Sequence, residues 1–312
     1  MTENPKLHIP QPTARPGETP DFSYIELSEA GAVERPPEDA AVADIEYLAN
    51  GMVRVLDESH EAVGPWAPEL DADVLLKALE TMVLSRAYDD RMLRVQRQGK
   101  ISFYMQALGE EAVSVGQGLA FEDGDMMFPA YRNQGLYIMR GTGLVEMMCQ
   151  CLSNSRDMCK GRQMPIFYQN SKNNVFSISG NLATQYPQAV GWAMGAAIKG
   201  EDHIAASWIG DGSTAEADFH HALTFAAVYN APVVLNVTNN QWAISTFQGF
   251  AGGERRSFAS RGPGYGIPGI RVDGNDLLAC YAVTRWAANR ARNGGGPTLI
   301  ELVTYRGGAH ST

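Results

Sequence analysis

Apolar residues recur at helical spacing through Leu75, Leu79, Met82, Val83 and Ala87. This predicts a helix that opens near Asp71 or Asp73, either of which suits an N-cap position. Further along, the pattern changes to short uninterrupted apolar runs, clearest over residues 204–209, 233–237 and 299–303. Runs of that length without polar alternation read as strands buried on both faces. Between the first two runs, Ser213-Thr214-Ala215-Glu216 has the form of a capping box. Strand, helix, strand and helix in succession predict an α/β fold, a parallel sheet flanked by helices. Ligands of such sheets gather beyond the carboxyl ends of the strands.

The first part of the chain has a different texture. Residues 1–68 are rich in proline and acids, with Pro36-Pro37 and Pro65 interrupting any helix. Yet Phe22, Tyr24, Ile25, Leu27, Ile45, Tyr47, Leu48, Met52, Val53 and Val55 are too apolar for a solvated tail. An extended N-terminal arm over 1–68 is expected, packed on the body or on a partner subunit. The α/β domain then occupies 69–312.

Composition narrows the function classes. At 312 residues and 45% hydrophobic content the chain can bury a large core, and a net charge of −10 argues against a nucleic-acid binder. Four cysteines form no CxxC pair and have no histidine cluster beside them, so neither zinc nor a disulfide framework is expected. No apolar run reaches the ~18 residues of a membrane span. The N-terminus lacks both the apolar core of a signal peptide and the Arg-rich character of a transit peptide, which points to a cytoplasmic protein.

The chemistry concentrates where the predicted strands end. Gly210-Asp211-Gly212-Ser213 closes the first apolar run. Glycines let backbone amides approach a phosphate, and a helix N-terminus favours an anion. Asp211 would repel a bare phosphate, so a divalent cation between them is implied, and Mg²⁺ accepts such a mixed set of oxygen donors. After the next strand come Asn239, Asn240, Gln241 and Trp242. Asn240 offers an amide oxygen and Trp242 its carbonyl, brought near Asp211 by a βαβ crossover. An Asp-Gly turn alone says little; followed by a capped helix, an apolar strand and Asn-Asn, it says a great deal.

That combination resembles the thiamine-diphosphate motif of the transketolase-like enzymes, especially the alpha subunits of 2-oxoacid dehydrogenases. The resemblance implies Asp211, Asn240 and the Trp242 carbonyl as Mg²⁺ ligands, with Gly210, Gly212 and Ser213 beside the cofactor. Ile101-Ser102-Phe103-Tyr104-Met105 followed by Gly109-Glu110-Glu111 is similar to the branched-chain type, with Phe103 and Tyr104 as candidate walls of the substrate pocket. Tyr131-Arg132 resembles the pair that reaches the cofactor, Arg132 on the diphosphate. Ser179-Gly180-Asn181-Leu182-Ala183-Thr184-Gln185 resembles the loop under the pyrimidine ring. Leu182 would touch the cofactor, while in some relatives Ser179, Thr184 and Gln185 hold a monovalent cation. Gly180-Asn181 replaces the frequent Ser-Pro, and Thr238 replaces an Arg often found before Asn-Asn. Residues 255–266 match a loop that is mobile in the branched-chain family. His310 aligns with the family's active-site histidine, and Ser311 with a serine phosphorylated in animal relatives.

Taken as a whole, the resemblance implies oxidative decarboxylation of a branched-chain 2-oxoacid with acyl transfer to lipoamide. The partners would be a beta subunit, in an α2β2 enzyme, and the lipoyl domain of a transacylase core. Pyruvate or acetoin dehydrogenase is the neighbouring reading, with a catalytically silent subunit and a Mg²⁺-dependent phosphohydrolase behind it. The family pattern continues into a further helical stretch, so the sequence read here is expected to cover only part of the family's length.

Overall fold

The computed structural model describes residues 7–312. The start of the expected arm, Pro5 included, lies outside the described residues. Six strands form one sheet in the order β1 (Met52–Val53), β7 (Gly269–Asp273), β8 (Thr298–Val303), β4 (Val233–Asn239), β3 (Ala205–Gly210) and β2 (Met126–Phe128). All five pairings are parallel. A short antiparallel hairpin, β5 (Trp242–Ala243) with β6 (Thr246–Phe247), stands apart. The expected parallel sheet flanked by helices is what the chain forms.

Strand periodicity divides the core into two layers. Along β4, Val233, Leu235 and Val237 pack against α5 (Gln185–Lys199) and α6 (Ala217–Val228). Val234 and Asn236 face the opposite layer, made by α1 (Ala72–Arg97), α2 (Glu111–Ala120), α3 (Gln134–Met139) and α8 (Leu277–Arg292). There the α2 side chain Gln117 donates to Asn236 Oδ1 at 2.6 Å and to Thr284 Oγ1 at 3.0 Å, while Trp208 Nε1 donates back to it at 2.5 Å. A buried amide is tolerated because its partners are all present. The remaining helices are α4 (Leu144–Cys151) and the short α7 (Arg261–Gly264).

Two expectations need correction. The apolar stripe of α1 does not face the core: Leu75, Leu79 and Val83 are exposed, and Ala78, Thr81, Ser85, Tyr88, Asp89 and Met92 are buried instead. The helix carries apolar residues on more than one face, and the face that holds Tyr88 and Met92 is the one that docks. The capping box at 213–216 does not form. Residues Asp211–Ala215 make a 3₁₀ turn, and Glu216 follows as the N-cap of α6 with no side-chain hydrogen bond to the helix. Asp71 stands at the N-cap of α1 as expected, although its side chain makes no hydrogen bond to the helix.

The arm packs against the body. Ile45, Leu48, Val53, Val55 and Trp66 are fully part of the larger core layer, and β1 is an edge strand of the sheet. Asp276 fastens it. One carboxylate oxygen caps α8 through Ala279 N at 3.0 Å, and the other accepts Val55 N and Leu56 N, each at 2.7 Å. The segment likened to a mobile loop buries Phe258 and Ala259 and leads into α7. All four cysteines are buried free thiols. Among the described residues no helix is long and apolar enough to cross a membrane.

Candidate active site

Four adjacent strands deliver the predicted site residues from their carboxyl ends. Tyr131-Arg132 follows β2, Asp211 follows β3, Asn240 follows β4 and His310 lies beyond β8. The register sets Gly210 beside Thr238, so Asp211 and Asn240 leave the sheet at the same edge. They line one cavity of about 510 Å³ together with Tyr131, Arg132, Leu182 and His310. Gly210, Gly212, Ser213 and Trp242 complete that wall.

Asp211 is buried, and its Oδ2 has no hydrogen-bond partner. Burial pushes its carboxyl up to about 7, with the neighbouring Glu110 in the same direction and backbone amides and Arg306 against it. An unpaired, desolvated carboxylate oxygen is costly, and it suits a cation. Gly212 is required by packing: a Cβ there would lie 2.4 Å from the Ala243 Cβ. This close approach seats the 3₁₀ turn against the β5–β6 hairpin. At Gly210 an added Cβ meets no atom within 4 Å, so glycine keeps the wall open.

The two asparagines divide their work. Asn239 turns inward, donating to Gln248 Oε1 at 2.9 Å and to the buried Glu301 at 2.8 Å. Asn240 donates its amide nitrogen to Glu110 Oε1 at 2.6 Å. A carboxylate only accepts, so this bond fixes which end of the amide faces Glu110. Asn240 Oδ1 accepts the Trp242 amide at 3.1 Å and retains a second lone pair. Glu110 is itself buried; desolvation raises its pKa, opposed by Arg132, Asn240 and Arg306. Its Oε1 lies 3.7 Å from Arg132 Nε.

Arg306 closes the other side. It donates to the carbonyls of Trp242 at 3.1 Å and Ile244 at 2.8 Å, and reaches His310 Nδ1 at 3.3 Å. The Trp242 carbonyl, expected on a metal, thus already accepts one hydrogen bond and keeps one lone pair. Gln241 and Ile244 adopt left-handed backbone at φ 73° and 58°, so the loop is strained at two non-glycine positions. Arg132 donates to the carbonyls of Gln106 at 2.5 Å and His310 at 2.7 Å, its Nη2 lying 3.2 Å from His310 Nδ1. Both guanidiniums only donate, so Nδ1 is the acceptor and the neutral imidazole carries its proton on Nε2. Burial, Arg132 and Arg306 push His310 down to about 4.

Not every predicted residue reaches the cavity. Phe103 and Met105 line it, but Tyr104, between them, is fully buried and donates its hydroxyl to Asp89 at 2.6 Å. Tyr104 belongs to the larger core layer, where its ring meets Tyr88 edge-on. Ser179, Thr184 and Gln185 stand behind the wall. Thr184 Oγ1 is 2.8 Å from Ser179 Oγ, while Gln185 donates to the Trp208 carbonyl at 2.8 Å and leaves its Oε1 buried without a partner. Among the described residues no group of three or more His, Cys, Asp or Glu side chains could hold a metal. The expected ligands need none, being one carboxylate, one amide and one carbonyl. Sequence reasoning gave no site role to Arg306, nor to Glu110, although Glu110 stands inside the Gly109-Glu110-Glu111 stretch. It had no signal at all for Met164, Phe167, Ile244 and Phe250, which complete the apolar wall.

A family model described as "Dehydrogenase E1 component" matches residues 79–312, and one described as "2-oxoisovalerate dehydrogenase E1 alpha subunit N terminal" matches residues 3–43. The chain is 60% identical over 307 residues to the 2-oxoisovalerate dehydrogenase subunit alpha of Pseudomonas aeruginosa, covering 98% of this chain and 75% of that one. It is 42% identical to the mitochondrial subunit of the same name from Dictyostelium discoideum, covering 78% of this chain and 56% of that one. The Bos taurus protein is 41% identical, with coverages of 83% and 57%. The chain therefore spans three quarters of the bacterial relative and little more than half of the mitochondrial ones.

Proposed function

The chain belongs to the dehydrogenase E1 component family, and on that premise we propose that it is the alpha subunit of a thiamine-diphosphate enzyme that oxidatively decarboxylates branched-chain 2-oxoacids. The observation that carries this is the pairing of Asp211, with its unpartnered buried oxygen, and Asn240, amide held by Glu110, on one cavity. Asp211 Oδ2, Asn240 Oδ1 and the Trp242 carbonyl would hold Mg²⁺, an all-oxygen set suited to a hard cation. The cavity is large enough to take a cofactor.

When bound, thiamine diphosphate supplies the carbon nucleophile and the electron sink for decarboxylation. The chain's own residues do the rest. Gly210, Gly212 and Ser213 leave room for the diphosphate beside the 3₁₀ turn. Arg132, with Arg306 behind it, would offer positive charge to the anionic diphosphate. His310 holds a proton at Nε2 and can donate it in a hydrogen bond to a substrate oxygen or to the incoming lipoyl group. Phe103, Met105, Met164 and Phe167 exclude water and offer apolar surface to a branched side chain. Ser179, Thr184 and the free Gln185 Oε1 are candidate donors for a monovalent cation behind Leu182.

Asp211 is the only carboxylate among the cavity-lining residues. By resemblance to two-subunit members of the family, a second acid, to activate the aminopyrimidine, would come from a partner, and we assign it to a beta subunit in an α2β2 assembly. The exposed Leu75, Leu76, Leu79 and Val83 of α1 agree with a covered face. The acyl acceptor is the lipoyl domain of a transacylase core, and the setting is the cytoplasm. Calorimetric titration of thiamine diphosphate with Mg²⁺, on the chain co-expressed with its beta partner, is the test. Saturable binding that is lost in Asp211→Ala is expected; no binding by the parent assembly would overturn the reading.

A further inference from the structure

The loop that carries Trp242 has two sides. Its inner side, through Asn240, Trp242, Ala243, Ile244, Phe247 and Gln248, lines the cavity. Its outer side is covered by the N-terminal arm. His8 Nε2 lies 2.9 Å from Glu254 Oε2, and a Cβ added to Gly249 would meet Pro10 at 2.7 Å, so the arm runs directly against the backbone. Phe22 stands edge-on to Tyr305 with ring centroids 5.0 Å apart, and Tyr24 edge-on to Phe247 at 6.1 Å. The Tyr24 hydroxyl donates to Gln241 Oε1. Residues from Pro12 to Tyr24 face Trp242 and Tyr305 across a narrow cleft.

Gln241 is the point where this matters. It has left-handed backbone, and it lies between Asn240 and Trp242. Its amide donates to Asn239 Oδ1 at 3.0 Å and its side chain to the Thr304 carbonyl at 2.8 Å. Its remaining side-chain acceptor is taken by Tyr24. A strained residue keeps its conformation only when its surroundings over-determine it; the Gln241 carbonyl also accepts the Gln248 amide at 3.0 Å, and the arm supplies one of these four restraints. We infer that residues 8–24 form a strap across the cofactor loop and that Tyr24 is a positioning residue for the Asn240 and Trp242 oxygens, acting through Gln241. This rests on the cofactor reading above.

The experiment uses the full chain co-expressed with the beta partner, and compares Tyr24→Phe, Gln241→Leu, the double variant and a deletion of residues 1–27. Thiamine diphosphate with Mg²⁺ is titrated by calorimetry and by quenching of tryptophan fluorescence, beside a thermal melt of each protein. Loss of one such hydrogen bond is expected to weaken cofactor binding about five- to tenfold in Tyr24→Phe. Turnover at saturating cofactor stays near that of the parent. The double variant is expected to bind no more weakly than Gln241→Leu alone, because Gln241→Leu already removes the bond that Tyr24→Phe removes. Parent-like affinity in Tyr24→Phe, or effects of the two substitutions that simply add, would overturn the strap even if the melting temperature falls. Should the deletion not fold, the point variants decide the matter. If the parent assembly itself fails to bind, the cofactor reading falls, and the strap's positioning role with it.

Discussion

One guanidinium group of Arg132 grips His310 twice: Nη2 donates to the His310 carbonyl at 2.7 Å and sits 3.2 Å from the imidazole Nδ1. Backbone and ring are therefore oriented by the same planar group, and Arg306 approaches Nδ1 from another side at 3.3 Å. Protonating that nitrogen would set a third positive charge against two.

The first prediction is that His310 stays neutral through the physiological range, titrating near 4. Replacing Arg306 by Met should move its pKa back toward the ordinary 6.5, as followed by ¹⁵N NMR of the imidazole. The linkage has a definite sign. The folded pKa lies below the unfolded one, so the unfolded chain binds the extra proton and stability falls as pH drops from about 6.5 to about 4. Above that window His310 contributes no slope. A His310→Asn variant should flatten this part of the stability–pH curve, and an unchanged curve would count against the assignment.

Glu110 orients the Asn240 amide through a 2.6 Å bond. In Glu110→Gln the partner can donate as well as accept, and Asn240 is free to turn its nitrogen toward the cavity. Supporting residues of this kind commonly govern about 10–100-fold in metal affinity. Electron paramagnetic resonance titration with Mn²⁺ in the presence of thiamine diphosphate should show a loss in that range, with the melting temperature falling little.

Asp211 carries an unpaired oxygen in a buried place. Asp211→Asn should therefore melt higher than the parent in the absence of cofactor and Mg²⁺, by roughly 1–3 kcal/mol of relieved desolvation. The same variant should show no stabilisation when both ligands are added, whereas the parent gains by mass action. A variant less stable than the ligand-free parent would refute the idea of a site strained for metal.

Phe103 and Tyr104 are adjacent yet should fail in different ways. Phe103→Ala enlarges the cavity and is expected to shift the preference between 3-methyl-2-oxobutanoate and pyruvate, within the 1–3 kcal/mol that an apolar pocket gives per methylene, roughly. Tyr104→Phe leaves the substrate preference untouched and costs about 1–3 kcal/mol of stability, because the buried Asp89 Oδ1 loses its donor and keeps only the Ala107 amide on Oδ2. Steady-state kinetics on both substrates, beside urea unfolding, separate the two.

Much of this was readable beforehand because it depends on local pattern. The apolar runs at 204–209, 233–237 and 299–303 are strands since the sheet is covered on both faces, and covered strands need no alternation. Asp211 and Asn240 were legible because a strand–helix–strand spacing brings two strand ends together. The exposed stripe of α1 was not, because periodicity tells which residues share a face and not which face docks. Glu110 and Arg306 were missed for a different reason. Their meaning lies in bonds to Asn240, 130 positions away, and to Ile244, 62 positions away, which no local window contains. Tyr104 misled because its place in the motif resembled that of its neighbour Phe103.

The two-residue strand β1 has a consequence beyond packing. It pairs only with Arg271 and Val272 of β7, at the outer edge of the sheet. An unpaired, apolar edge invites a strand from another molecule to add to it, and from there chains can stack without limit. Here that edge is occupied by the chain's own arm, which Asp276 fastens through the amides of Val55 and Leu56. The pairing is too short to serve as a template for further strands. The same stretch of chain that completes the core thus also keeps copies of the protein from aggregating through their sheets.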